Sequence, residues 1–244
     1  MQILNIDDII ATYESKSPTT ADNHEFYPQH DKQGAFRWLV IGPSGSGKTN
    51  LILDAIIQNK IQFDHIYLYA RDPTQPKYQF LMKWVNELED TYKKDKGEAV
   101  SMMTVETDPE KIVDVDDLNS DLINLVIIDD MVLEKDQSKL VEYFVRGRHR
   151  SANCMYLTQS YFDTPKTIRL NCDYFSIFGL PSQNELIQLT KEHSMGMDNK
   201  LFKKLFHTAT EDKHNFFHID RKTENPAMRF RMNMDQGYDG ALTS

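Results

Sequence analysis

The sequence predicts an α/β fold: a central, mainly parallel sheet with helices on its faces and extra β-strands towards the C-terminal end. Three observations predict it. Short apolar runs alternate with longer runs of helical periodicity, the rhythm of a parallel sheet. A glycine-rich turn, Gly42-Pro43-Ser44-Gly45-Ser46-Gly47-Lys48-Thr49, separates the first strand-like run from the first helix-like one. The apolar run Leu125-Val126-Ile127-Ile128 ends in the acid pair Asp129-Asp130, as a strand buried on both faces does at the edge of such a sheet.

The elements follow in order. Residues 1–34 combine a short amphipathic segment (3–13) with a polar, proline-containing stretch and read as an N-terminal arm. Residues 36–41 form a strand, 51–58 a helix, 64–70 a strand, 80–92 a helix and 122–128 a strand. Then come a helix over 139–146, strands over 153–157 and 174–178, and amphipathic helices over 185–191 and 200–206. Two further strands, 216–219 and 227–234, flank a turn at 221–226 and suggest a terminal hairpin. In the last strand, period-two alternation assigns Met228, Phe230, Met232 and Met234 to one face and Arg229, Arg231 and Asn233 to the other. Residues 35–235 thus read as one domain, with a flexible tail over 236–244.

Composition narrows the class. At 244 residues the chain can bury a core as one domain, and its net charge of −9 comes largely from the acidic stretch 87–121, so contact with nucleic acid must be local. Cys154 and Cys172 have no C-x-x-C spacing, which disfavours a disulfide framework or zinc site and fits a reducing compartment. No charged-then-apolar leader and no apolar run near eighteen residues is present, so neither secretion nor membrane spanning is expected.

The chemistry begins at Gly42–Thr49. This stretch fits G-x-x-x-x-G-K-[ST] between a strand and a helix, the context in which the pattern is a phosphate-binding loop. Glycines let the backbone N–H groups turn in around phosphates, Lys48 neutralises the β/γ oxygens, and the Thr49 hydroxyl suits Mg²⁺. The helix that starts near Lys48 adds its positive end. A Walker B carboxylate is expected at Asp129, from a strand beside the phosphate-loop strand, with Asp130 accepting a hydrogen bond from an attacking water. The strand over 153–157 ends in Thr158-Gln159, where a polar tip can sense the γ-phosphate. Between them, Arg146-Gly147-Arg148-His149-Arg150 supplies three arginines in five residues, suited to phosphate or DNA backbone or to a helix C-terminus.

This order of motifs resembles the FtsK/HerA superfamily of DNA-pumping motors, and within it the genome-packaging ATPases of poxviruses, other large DNA viruses, virophages and Polinton-type elements. The resemblance covers roughly residues 36 to 180 and rests on GPSGSGKTN from Gly42, LVIIDDM from Leu125, and GRHRSANCMYLTQSYFDTPKTIRLNCDYFSIF from Gly147. It implies a RecA-like (ASCE) P-loop NTPase fold, with an extra strand between those carrying the phosphate loop and Walker B. ATP would be bound by Gly42, Pro43, Ser44, Gly45, Ser46, Gly47, Lys48, Thr49 and Asn50, and Mg²⁺ by Thr49 and Asp129. Catalysis would involve Lys48, Asp130, Gln159 as sensor, and Arg148 as a finger given to a neighbouring subunit. The chain departs from the superfamily pattern in having Asp130 where Glu is usual, and Phe175 where the FtsK-type arginine would fall.

The implied function is a viral motor that hydrolyses ATP as a hexameric ring to drive double-stranded DNA into a preformed capsid. Its partners would be DNA backbone and capsid vertex proteins, in the host-cell cytoplasm or nucleus or in the virion, with no membrane. Lys200, Lys203, Lys204, Arg229 and Arg231 are candidates for DNA contact. Two other readings remain open: a nucleotide kinase of guanylate-kinase type, whose phosphate loop GPSGSGKT also resembles, and a capsid-associated module that binds nucleotide only to order an interface.

Overall fold

The computed structural model describes residues 26–30, 34–131 and 137–237. Most of the expected N-terminal arm lies outside them. Residues 26–30 are packed on the domain: Tyr27 is buried, donates its hydroxyl to Asp54 at 3.1 Å, and stacks edge-on against Trp38.

The sheet contains β1 (Arg37–Ile41), β2 (His65–Ala70), β3 (Met103–Glu106), β4 (Asn124–Asp129), β5 (Ala152–Thr158), β6 (Tyr174–Ile177), β7 (Phe217–Asp220), β8 (Phe230–Met232) and β9 (Gln236–Gly237). Their spatial order is β3-β2-β4-β5-β1-β6-β7-β8-β9. The first six are mutually parallel, and β7 to β9 continue the sheet as antiparallel strands. The predicted α/β architecture is therefore the observed one. The strand that ends in Asp129 corrects one expectation and meets another. It does not lie beside the phosphate-loop strand, and the extra strand implied between them is β5, which pairs with both, matching Ile41 to Thr158 on one side and Asp129 to Leu157 on the other.

Alternation along the strands divides the core. Trp38 and Val40 of β1, Leu125 and Ile127 of β4, and Met155 and Leu157 of β5 face α1 (Lys48–Ile57) and α2 (Pro76–Lys96). Leu39 and Ile41, Val126 and Ile128, and Cys154 and Tyr156 face the other side. That side is covered by α3 (Ser138–Arg146), α5 (Gln183–His193) and α6 (Asn199–Ala209), while the short α4 (Lys166–Asn171) packs near α3. Central strands buried on both faces explain why they read as unbroken apolar runs. Both cysteines are buried and free, and no helix among the described residues is long and apolar enough to cross a membrane.

Three elements differ from expectation. β3 was not anticipated in the acidic stretch, and its residues are only half-buried, so no apolar alternation marks it. The helix expected from residue 80 begins at Pro76, with proline in its first turn, where the missing N–H costs nothing. The final strand is broken. A 3₁₀ turn covers Pro226–Met228, β8 spans Phe230–Met232, and Asn233 turns the chain with φ 56. Phe230 consequently joins one core cluster and Met234 the other, instead of sharing a face. The expected tail begins too early, since Gln236 and Gly237 pair with β8; residues 238–244 lie outside the described ones.

Two histidines are locked in the core. His193 meets the Tyr161 hydroxyl at 2.9 Å and the Phe175 ring, and His218 meets Ser176 Oγ at 2.9 Å. Burial pulls the pKa of His193 down to about 3 and that of His218 well below the usual value. The unfolded chain protonates both near pH ~6.5 and the folded chain far lower, so their contribution to stability is complete above that pH and is lost as pH falls through it. Between pH 7 and 5.5 the pair should cost about 2–3 kcal/mol of stability. Urea unfolding at the two pH values measures this, and His193→Leu should remove about half of the dependence.

Candidate nucleotide site

The site is assembled where β1, β5 and β4 end. The chain leaves β1 at Ile41, and the Gly42 N–H donates to the Thr158 carbonyl at 3.1 Å, stapling the loop to the tip of β5. Gly45 and Gly47 take left-handed φ values of 71° and 113°, which a side chain would strain. At Gly42 the constraint is space: a Cβ there would lie 2.7 Å from Ser46 Oγ and 2.8 Å from Phe178 Cβ. Gly47 caps α1 without any side-chain hydrogen bond, and no acid occupies the first turn. The free N–H groups and positive end of α1 therefore face the loop.

Lys48 Nζ donates to the Gly42 carbonyl at 2.7 Å and to the Pro43 carbonyl at 3.2 Å, bridging the loop's entry. Burial pulls its pKa down, while Asp129 and Asp130 pull it up. Asp129 ends β4 with its carboxyl pKa raised, first by burial, against the lowering effect of a hydrogen bond from Tyr78 and the charge of Lys48. Asp130 is half-buried, adopts φ 56, and donates its N–H to the Leu157 carbonyl at 3.3 Å. A left-handed aspartate beside a half-buried one is the backbone strain that clusters at chemical sites. Gln159 is exposed at the tip of β5, between the other two strand ends.

The chemistry of these groups suits a nucleoside triphosphate with Mg²⁺. Ser46 Oγ and Asn50 Oδ1 are buried without a hydrogen-bond partner. Thr49 and Asp129 offer hard oxygen donors. Among the described residues, no cluster of three or more His, Cys, Asp or Glu could hold a metal unaided, which suits an ion completed by phosphate oxygens.

Residues that sequence reasoning missed also converge here. Tyr78, in the first turn of α2, donates to Asp129 Oδ2 at 2.5 Å. The charge of its neighbour Lys77 acts on both Asp129 and Lys48. From the loop after α6, His214 Nδ1 lies 3.1 Å from the Ser46 carbonyl, and Lys213 Nζ lies 3.9 Å from where a Cβ on Gly45 would stand. Pro76 was the available signal for the start of α2; the polar segment around Lys213 carried none.

Arg148 is elsewhere. It lies in the 3₁₀ turn Gly147–Arg150 before β5, at the sheet edge opposite the phosphate loop, and its Nη2 donates to Asp173 Oδ1 at 2.6 Å. The seven residues of β5 separate it from Gln159 by about 20 Å, so it cannot reach its own chain's loop. Arg146 pairs with Asp116 and Glu142, and Arg150 with Asp116. Lys200 and Lys204 are exposed and Lys203 half-buried on α6, while Arg229 is half-buried with its Nε lacking a partner. Arg231 corrects an expectation. Only 2% exposed, it donates to the Phe26 and Met234 carbonyls and to Asp220, so it tethers the chain's ends rather than facing DNA. An apolar recess of about 810 Å³, lined in part by Phe63, Trp84, Leu88 and Tyr92, lies at the N-terminal ends of β2 and β4, away from the phosphate loop.

A glycine-rich loop after β1, an acid pair after β4 and an interposed strand with a polar tip define a P-loop NTPase fold. Residues 23–221 match the family described as Poxvirus A32 protein, and the chain belongs to that family. It is 26% identical over 147 residues to DNA packaging protein OPG160 of Variola virus, a stretch covering 59% of this chain and 53% of that relative. The chain thus spans about half the length of the curated relatives it matches. The genome packaging NTPase B204 of Sulfolobus turreted icosahedral virus 2, solved with AMP, has a TM-score of 0.54 at 14% identity, covering 81% of this chain and 96% of that one. B204, the DNA-packaging ATPase of Sulfolobus turreted icosahedral virus, has a TM-score of 0.52 at 16% identity with the same two coverages. These likenesses carry the fold.

Gly42→Ala should abolish binding of a fluorescent ATP analogue, because its Cβ meets packed atoms on two sides. Gly97→Ala, at φ 77 with open space around it, should bind normally and lose only about 1 kcal/mol of stability. Equilibrium titration and denaturant unfolding of the two variants separate the effects.

Proposed function

We propose that this protein is a genome-packaging ATPase, which hydrolyses ATP as a ring, hexameric by resemblance, to translocate double-stranded DNA into a preformed capsid. The observation that carries the reading is the strand order β4-β5-β1, which brings Asp129, Gln159 and Gly42–Thr49 to neighbouring sheet tips in a member of a poxvirus family. The Variola relative's description as a DNA packaging protein supports the biological setting: virion assembly inside the host cell, with DNA and capsid proteins as partners.

In this mechanism the loop N–H groups and Lys48 hold the triphosphate, and Lys48 exchanges its two carbonyl partners for β- and γ-oxygens. Thr49 and Asp129 hold Mg²⁺, which supplies Lewis-acid stabilisation of the phosphate oxygens when bound. Asp130 orients a water and receives its proton as the water oxygen attacks the γ-phosphorus; the bond to the β–γ bridging oxygen breaks and its electrons stay on ADP. Gln159 contacts the γ-phosphate and reports its loss. Arg148, too far from its own loop, serves the neighbouring subunit after leaving Asp173, and so makes turnover depend on assembly. Backbone contacts to DNA, with Lys200, Lys203, Lys204 and Arg229 as candidates, make translocation indifferent to sequence. The interposed β5 argues against a guanylate-kinase type of site.

DNA-stimulated ATP turnover at low salt tests the proposal. Wild type should be stimulated, and Lys48→Ala and Arg148→Ala should each fall by about two orders of magnitude or more. Mixing the two variants should restore part of the activity if Arg148 acts across the interface. Absence of DNA stimulation in assembled wild type would overturn the motor reading, and phosphate transfer to a nucleoside monophosphate would replace it with the kinase.

A further inference from the structure

The apolar stripe of α2 contains one oxygen that packing does not require. Tyr78, Leu81, Trp84 and Val85 are buried on the same face of the helix, against the sheet. Tyr78 is 0% exposed, and a phenylalanine ring would fill the same space. Its hydroxyl instead donates to Asp129 Oδ2 at 2.5 Å. One phenol at the start of α2 thus holds the carboxylate that ends β4, one of the two oxygen donors proposed for Mg²⁺. A buried hydroxyl carries a desolvation cost unless partnered, and the partner here belongs to the nucleotide site.

We propose that Tyr78 is a positioning residue for the divalent cation: its hydroxyl fixes Asp129 through Oδ2 and leaves Oδ1 to the ion. The inference rests on the nucleotide-binding reading of this site and adds a residue outside the motifs of that reading. Since Tyr78 is in the first turn of α2, it also ties that helix to cation occupancy. The binding of the triphosphate itself, through Lys48 and the loop N–H groups, does not pass through Tyr78.

The test is a cation titration of wild type and Tyr78→Phe with a fluorescent, non-hydrolysable ATP analogue, together with Mn²⁺ binding followed by electron paramagnetic resonance in the presence of the analogue. Tyr78→Phe should bind the analogue without metal within about twofold of wild type, yet need about 10-fold or more extra Mg²⁺ or Mn²⁺ for half-saturation. Turnover lost at low Mg²⁺ should return at high Mg²⁺, a rescue that damaged packing would not allow. In an Asp129→Asn background the Tyr78→Phe effect on the cation should disappear, since the hydroxyl acts through that carboxylate. Cation titrations that coincide for wild type and Tyr78→Phe would overturn the inference alone. Failure of wild type to bind the analogue, or unchanged binding in Lys48→Ala, would instead overturn the underlying reading, and this inference with it.

Discussion

The rest of this structure depends on the parallel pairing of β5 with β1 on one side and β4 on the other. Its register matches Thr158 with Ile41 and Leu157 with Asp129, so three strand tips end level and their loops converge. Neighbouring strands lie about 4.8 Å apart, which puts the phosphate loop and Asp129 about 10 Å from each other across β5. That gap admits a cation and phosphate oxygens between Thr49 and the acid. The Gly42 N–H to Thr158 carbonyl bond then makes the loop part of the sheet rather than a free turn.

The opposite edge of the same strands is governed by Asp173. It accepts from the Arg37 backbone N–H at 3.0 Å and the Arg37 guanidinium at 3.3 Å, and from Arg148 at 2.6 Å. Arg37 is buried and also donates to the Phe144 carbonyl, so its charge is paired as a buried charge must be. Arg148 is different, with its side chain 37% exposed. A half-exposed ion pair is worth little, so exchanging Asp173 for a neighbour's phosphate costs little, while Arg37 keeps the carboxylate occupied. Within the proposed function, this edge can release one arginine without disturbing the core.

Charge around the nucleotide site is balanced against burial. Lys48, Lys77 and the uncapped start of α1 supply positive potential, while Asp129 and Asp130 supply the carboxylates. Burial opposes the charged form of both Lys48 and Asp129, and each stabilises the other's charge. Within the proposed function, Tyr78 adds a neutral donor where a further cation would compete with the metal. Phosphate oxygens entering this cradle replace internal partners, Lys48's two carbonyls among them, with stronger charged ones.

The sequence by itself determined the sheet, and it marked the glycine-rich turn before α1 and the acid pair that follows an apolar strand, because each is written in local order. Buried parallel strands require continuous apolar runs, and the loop requires glycines and a lysine at adjacent positions. What only the tertiary structure decided depends on partners distant in the chain. β3 forms because β2 offers it an edge, not because its half-buried residues alternate. Arg231, read as surface, is buried because Asp220 and the Phe26 carbonyl, 205 residues away, satisfy its guanidinium. Tyr78, ahead of the helix expected from residue 80, has no visible role until the fold brings Asp129 to its hydroxyl. Local pattern specifies elements because backbone geometry repeats at short range, whereas the pairing of a buried polar atom is settled only when the chain closes around it.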